Sequence, residues 1–77
     1  MSDLDALRIK IDALDSDLLR LLNERAAVAQ QIGEIKTREG LSVYAPEREN
    51  QVLRSLVERS DGPLRPESIR AIYCEIM

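Results

Sequence analysis

Three charged residues occupy positions where the surrounding pattern favours apolar side chains. Arg25 and Lys36 are eleven residues apart in one long helical pattern, so they point about 20° apart around the helix. Glu49 lies on the predicted inward face of a second helix. We expect these three residues to line one cavity together with Arg8 and Arg48, and the cations around it outnumber the single Glu49 carboxylate. Guanidinium groups bind carboxylates through two parallel hydrogen bonds. The surplus of positive charge therefore predicts a binding site for a dicarboxylate.

Each of these residues also has an ordinary structural interpretation. An arginine on the apolar face of a helix can set the register of helix pairing or extend its guanidinium group to solvent. A lysine near a helix C-terminus complements the macrodipole. In the same interpretation Glu49 neutralises Arg25 or Lys36, while Arg8 and Arg48 lie on solvated faces. Because an uncompensated buried charge costs several kcal/mol, Arg25, Lys36 and Glu49 need partners in either interpretation.

The composition argues against several other kinds of site. There is no His among the 77 residues, which removes the commonest general base and metal ligand, and the single Cys74 allows neither an intramolecular disulfide nor a multi-cysteine metal site. A net charge of −3 opposes the basic surface of a nucleic-acid binder, and no apolar stretch is long enough to cross a membrane. We expect no metal, cofactor, nucleic-acid partner or membrane partner, and a cytoplasmic location.

One long amphipathic helix is predicted to carry the first cations. Ser2 followed by Asp5 resembles a capping box, and a basic turn before Gly40 is typical of a helix end, so the helix should span about residues 3–39. Apolar residues recur every three or four positions along it and define one seam: Leu7, Ile11, Leu14, Leu18, Leu21, Val28, Ile32 and Ile35.

The length of this helix predicts a second copy of the chain. At 1.5 Å per residue it would be roughly 55 Å long, whereas a compact monomer of this size has a radius of gyration of about 11 to 12 Å. The remaining half of the chain is too short to cover the seam. We therefore expect a homodimer, most simply a closed two-fold dimer.

Two shorter helices are predicted in the second half of the chain. Pro46 suits the first turn of one helix, which residues 61–63 (DGP) end, and Pro66 opens another that stops at Met77 without a cap. No strand pattern occurs, so we predict an all-α domain over residues 1–77, with three helices of which the third is incomplete. Their inward faces should comprise Val52, Leu53, Leu56 and Val57, and then Ile69, Ile72, Tyr73 and Ile76.

Four segments, in this order and spacing, resemble the all-helical class of chorismate mutases: residues 7–15 (LRIKIDALD), 21–25 (LLNER), 32–36 (IGEIK) and 46–49 (PERE). In that family three helices from each of two chains interlock into a homodimer with two identical sites. The resemblance implies an isomerase that converts chorismate to prephenate by an intramolecular Claisen rearrangement, in the biosynthesis of phenylalanine and tyrosine. This reaction needs no cofactor, which agrees with the absence of His.

The resemblance also implies a role for each charged residue. Arg25 would bind one substrate carboxylate, and Arg8 of the partner subunit the other. Lys36 would donate a hydrogen bond to the ether oxygen, Glu49 would accept one from the ring hydroxyl, and Arg48 would support the site.

Two departures from the family pattern qualify this expectation. Many members carry an acidic residue where this chain has Ala45, and their third helix continues past the point corresponding to Met77 and contributes polar groups there. We therefore expect either a chain that folds and dimerises but is a poor catalyst, or a piece of a longer protein, for example the front domain of a bifunctional chorismate mutase/prephenate dehydratase. The alternatives are an isochorismate-pyruvate lyase, whose substrate is a closely related dicarboxylate, and a helical dimerisation module without catalytic activity.

Overall fold

The computed structural model describes residues 2–77 and contains three helices in that range, with no strand. Helix α1 spans Asp3–Arg38, α2 spans Pro46–Arg59 and α3 spans Pro66–Ile76. The all-α, three-helix prediction is confirmed, and the predicted end of α1 differs from the observed end by one residue. The chain divides into two compact units between Leu41 and Ser42, with α1 in the first and the α2–α3 pair in the second.

The start of α1 is fixed by the predicted capping box. The Ser2 hydroxyl accepts a hydrogen bond from the Asp5 backbone N–H at 3.1 Å, and the Asp5 carboxylate accepts one from the Ser2 backbone N–H at 3.5 Å. These bonds engage donors that the first turn of a helix would otherwise leave unpaired. The acidic residues of this turn also complement the positive end of the helix macrodipole.

The end of α1 is a Schellman motif built on a glycine. The Leu41 N–H donates to the Lys36 carbonyl at 2.7 Å, and the Gly40 N–H donates to the Thr37 carbonyl at 3.2 Å. Gly40 has a φ of 73°, a left-handed conformation that residues with a Cβ rarely adopt. The predicted helix end at Gly40 is therefore confirmed, and the hydrogen bonds of the Schellman motif fix the backbone at Lys36.

The apolar seam of α1 is open along its whole length. The helix has 36 residues, which makes it about 54 Å long, and none of them is buried. The eight predicted seam residues have exposed fractions between 42% and 60%. Contiguous apolar surface on this scale marks an interaction site in soluble proteins.

The second unit has a small apolar core between α2 and α3. Ile69 is its most buried residue, with an exposed fraction of 5%, and the predicted apolar residues of α2 are all partly buried. Tyr73 and Ile76 are partly buried as well, whereas Ile72 remains 47% exposed, which corrects its predicted inward position. Ile69, Tyr73 and Ile76 follow the i, i+4, i+7 spacing of one helix face, and Ile72 lies at its edge.

The N-terminus of α2 has no side-chain cap. Ala45 is the N-cap residue and contributes only its carbonyl, which accepts from the Glu49 N–H at 3.1 Å. Asp at this position typically stabilises a helix by about 1 kcal/mol relative to Ala. We expect Ala45→Asp to raise the free energy of unfolding in urea by about that amount. Ala45→Asn should match it, because it adds the cap without the charge, and the absence of a gain in both variants would contradict the prediction.

Candidate functional site

Arg25 and Lys36 lie on the apolar stripe of α1. Eleven residues separate them, so their Cα atoms are about 16 Å apart along the axis and point in directions only about 20° apart. Lys36 is partly buried and Arg25 is exposed. Within residues 2–77, neither side chain forms a hydrogen bond or an ion pair. The ion pairs described there join Arg20 to Asp17 and Glu24, and the cationic side chains that donate hydrogen bonds are those of Arg20, Arg48 and Arg59.

The backbone around Lys36 is held by the C-terminal cap of α1. Its carbonyl oxygen accepts from the Leu41 N–H, and its side chain extends from the last turn, where a cation complements the helix macrodipole. The macrodipole therefore remains a sufficient structural explanation for a lysine here. It does not account for Arg25, which lies more than three turns from this end of the helix.

One copy of α1 cannot bring Arg8 and Arg25 to the same small ligand. Seventeen residues separate them, which gives about 25 Å along the helix axis, and they point about 100° apart. Side chains of an α-helix lean toward its N-terminus, so the two arginines lean the same way and do not extend toward each other along the axis. A site that uses both residues therefore needs an Arg8 from another chain.

Arg48 and Glu49 are neighbours in the first turn of α2. The Arg48 guanidinium donates from Nη1 to the Gln51 side-chain oxygen at 3.0 Å, which orients it along the helix. Glu49 shares its helix face with Val52 and Leu56 by spacing, yet it is exposed whereas both apolar residues are partly buried. Its carboxylate lies in the first turn of α2, near the positive end of the helix macrodipole.

The predicted site residues thus fall into two groups, one on each unit. The structure brings Arg25 and Lys36 to one face of α1 and places Arg48 beside Glu49 on α2, while Arg8 lies on a different side of α1. Residues 2–77 contain no group of three His, Cys, Asp or Glu side chains that could hold a metal ion. None of the described helices is long and apolar enough to cross a membrane.

A cleft on the second unit has no counterpart in the sequence-based prediction. It is lined by Asn50, Leu53, Arg54 and Arg70. The spacing of four residues between Asn50 and Arg54 would have placed both on one side of α2. Nothing in the sequence pattern indicates that Arg70 lies beside them, because this depends on how α3 packs on α2.

Comparison with known proteins places the chain in a class of all-helical isomerases. The family model for chorismate mutase type II matches residues 7–77, nearly the whole chain. The chain belongs to the chorismate mutase type II family.

Curated relatives of this chain are longer proteins. The bifunctional chorismate mutase/prephenate dehydratase of Aquifex aeolicus is 41% identical over 81 residues, which cover 100% of this chain and 22% of the relative. The T-protein of Enterobacter agglomerans is 46% identical over 78 residues, covering 100% of this chain and 21% of the relative. The chain therefore spans about a fifth of the length of these proteins.

Solved structures include a relative of nearly the same length. The chorismate mutase of Thermus thermophilus, in its form I, has a TM-score of 0.95 to this chain at 39% sequence identity. The match covers 97% of this chain and 94% of that one. The three-helix fold predicted from the sequence is thus the fold of a solved chorismate mutase.

Proposed function

We propose that this chain catalyses the rearrangement of chorismate to prephenate as a homodimer, in the biosynthesis of phenylalanine and tyrosine. The family match across residues 7–77 carries the proposal. The unpaired cations on the apolar face of α1 support it, because they suit a substrate with two carboxylates. In this reaction the ether C–O bond of the enolpyruvyl group breaks while a C–C bond to the ring forms, so all atoms stay within one molecule.

Substrate binding in this proposal relies on two arginines from different chains. Arg25 binds one carboxylate through its planar guanidinium fork, and Arg8 of the partner subunit binds the other. Fixing both ends holds the flexible enolpyruvyl group over the ring, close to the geometry in which the new bond forms. Such positioning can supply a large part of a rate enhancement without any proton transfer.

Lys36 supplies the main electrostatic contribution. Negative charge develops on the ether oxygen as the C–O bond breaks, and the ammonium group donates a hydrogen bond to that oxygen. A fixed cation stabilises the transition state more than the ground state, and it accelerates the reaction for this reason. The Schellman motif supports the role because it fixes the Lys36 backbone.

Glu49 and Arg48 complete the site from α2. The substrate ring hydroxyl donates a hydrogen bond to the Glu49 carboxylate, which orients the ring. Arg48 lies beside it and keeps the local charge balanced, while its own bond to Gln51 limits its motion. No metal or cofactor takes part in this chemistry.

The homodimer is proposed from the exposed seam and from the Arg8–Arg25 separation. A partly exposed apolar stripe about 54 Å long is large enough to bury a dimer interface against a second copy of the helix. The interlocked arrangement of the family would also bring Arg8 of the partner subunit toward Arg25. A sedimentation measurement at micromolar concentration should give the mass of a dimer, and a monomer would contradict this part of the proposal.

The domain assignment rests on the same family match across residues 7–77. We assign residues 1–77 to one chorismate mutase domain and propose a cytoplasmic location, in keeping with a biosynthetic role.

The activity is tested by the loss of chorismate absorbance with purified protein, combined with identification of the products. Prephenate as the sole product is the expected result. Salicylate with pyruvate would support the isochorismate-pyruvate lyase alternative when isochorismate is supplied. No turnover, together with no rise in melting temperature on adding chorismate, would leave a dimerisation module and contradict the enzymatic proposal.

A further inference from the structure

The cleft on the α2–α3 pair is lined by two arginines and no acidic residue. Asn50 and Arg54 come from α2, Arg70 comes from α3, and Leu53 completes the lining. The cleft has a volume of about 370 Å³, which leaves room for several water molecules at about 30 Å³ each. A chain with 14 acidic residues and a net charge of −3 thus presents a locally cationic cleft.

Both guanidinium groups of the cleft are unpaired within residues 2–77. Glu58 follows Arg54 by four positions and Glu67 precedes Arg70 by three, which are spacings that allow ion pairs on a helix. The ion pairs described for this range nevertheless involve only Arg20. The arginines that donate the described side-chain hydrogen bonds are Arg20, Arg48 and Arg59, and none of them lines the cleft. The donors of the cleft are therefore available to a ligand.

Two cations that line one cleft from different helices repel each other, and an anion between them removes this repulsion. Guanidinium forks match the oxygens of carboxylates and phosphates, and an asparagine amide adds two further N–H donors. We propose that Asn50, Arg54 and Arg70 form a binding site for a small oxyanion, a phosphate or a dicarboxylate. A bound anion would join α2 to α3 and raise the stability of the second unit by mass action.

This cleft is separate from the residues assigned to substrate. Arg54 lies six positions after Arg48 on α2, which places the two about 120° apart around the helix. None of the cleft residues has a role in the proposed rearrangement. The inference therefore stands whether or not the chain turns over chorismate.

The test is a titration of the full chain with inorganic phosphate and, separately, with succinate at constant ionic strength, followed through the NMR signal of the Asn50 side-chain amide. We expect saturable binding of at least one of the two anions. Arg54→Gln and Arg70→Gln should each weaken it about tenfold, the loss typical of one charge-assisted contact. Arg65→Gln is the matched control, because it removes the same charge outside the cleft lining, and it should change the affinity less than twofold.

A second variant separates this site from the proposed substrate site. In Arg25→Gln the anion should bind the Asn50 cleft as tightly as in the unchanged protein. Saturation by phosphate alone identifies a phosphate site and saturation by succinate alone identifies a carboxylate site, and either result supports the proposal. Absence of saturation with both anions would overturn it, as would binding that Arg54→Gln and Arg70→Gln leave unchanged.

Discussion

Replacing Lys36 by alanine is expected to lower kcat for chorismate by about 10²–10³-fold and to leave KM nearly unchanged. The reason is that in the proposed mechanism the ammonium group acts on charge that exists only in the transition state, whereas the proposed substrate binding relies on the arginines. Alanine is a good helix former, so α1 and its C-terminal cap should stay intact. Steady-state kinetics, with circular dichroism as a check on folding, measures this effect.

The matched control for this variant is Lys10→Ala, which removes the only other lysine of the chain from an exposed position on the same helix. It should keep kcat within twofold of the unchanged protein, by the reasoning that distant exposed charges contribute little. If both lysine variants lose activity equally, the general charge of α1 matters and Lys36 has no specific role. A proportional rise in KM for Lys36→Ala would instead indicate a role in ground-state binding.

The variant Arg25→Leu should lower kcat/KM by about a hundredfold or more without unfolding the protein. Losing a bidentate bond to a carboxylate removes two charge-assisted hydrogen bonds, each worth about 1.5 kcal/mol or more. Leucine continues the apolar seam of α1, and Arg25 makes no hydrogen bond or ion pair within residues 2–77 that would be lost. The melting temperature should therefore stay at or above that of the unchanged protein.

Two further variants separate charge from shape at this position. Arg25→Lys keeps the charge but not the planar fork, so it should recover only part of the activity. Arg20→Leu removes an exposed arginine that pairs with Asp17 and Glu24, and it should leave activity unchanged. Unfolding of Arg25→Leu would contradict this prediction. It would show that the arginine has a structural role, for example in setting the register of helix pairing.

The helices were predictable because their ends are set by local chemistry. Ser2 and Asp5 form the capping box within one turn, and Gly40 adopts the positive φ that its position after the last turn requires. Pro46 and Pro66 each occupy the first position of a helix, as their fixed φ favours. These signals depend only on residues a few positions apart, so the sequence contains all the information they need.

Features that depend on packing between helices were less predictable. Ile72 has the correct spacing for the inward face of α3, yet it is 47% exposed because α2 covers only part of that face. The cleft around Arg70 depends on the same packing. In the proposed homodimer the placement of Arg8 relative to Arg25 depends on a second chain, and no periodicity within one sequence fixes the register between two copies of a helix.

The central claim is that two copies of the chain build each chorismate site. The most direct measurement mixes the variants Arg8→Ala and Arg25→Ala, unfolds and refolds them together, and compares the activity with that of each variant refolded alone. Random pairing puts about half of the dimers in the mixed form, in which one of the two sites is intact, since each two-fold site takes one arginine from each chain.

We expect the mixture to recover about a quarter of the activity of the unchanged protein, while each variant alone stays nearly inactive. The same variants combined after separate refolding serve as the control and should recover less, because interlocked chains exchange slowly. A co-refolded mixture no more active than its separate components would contradict the shared site.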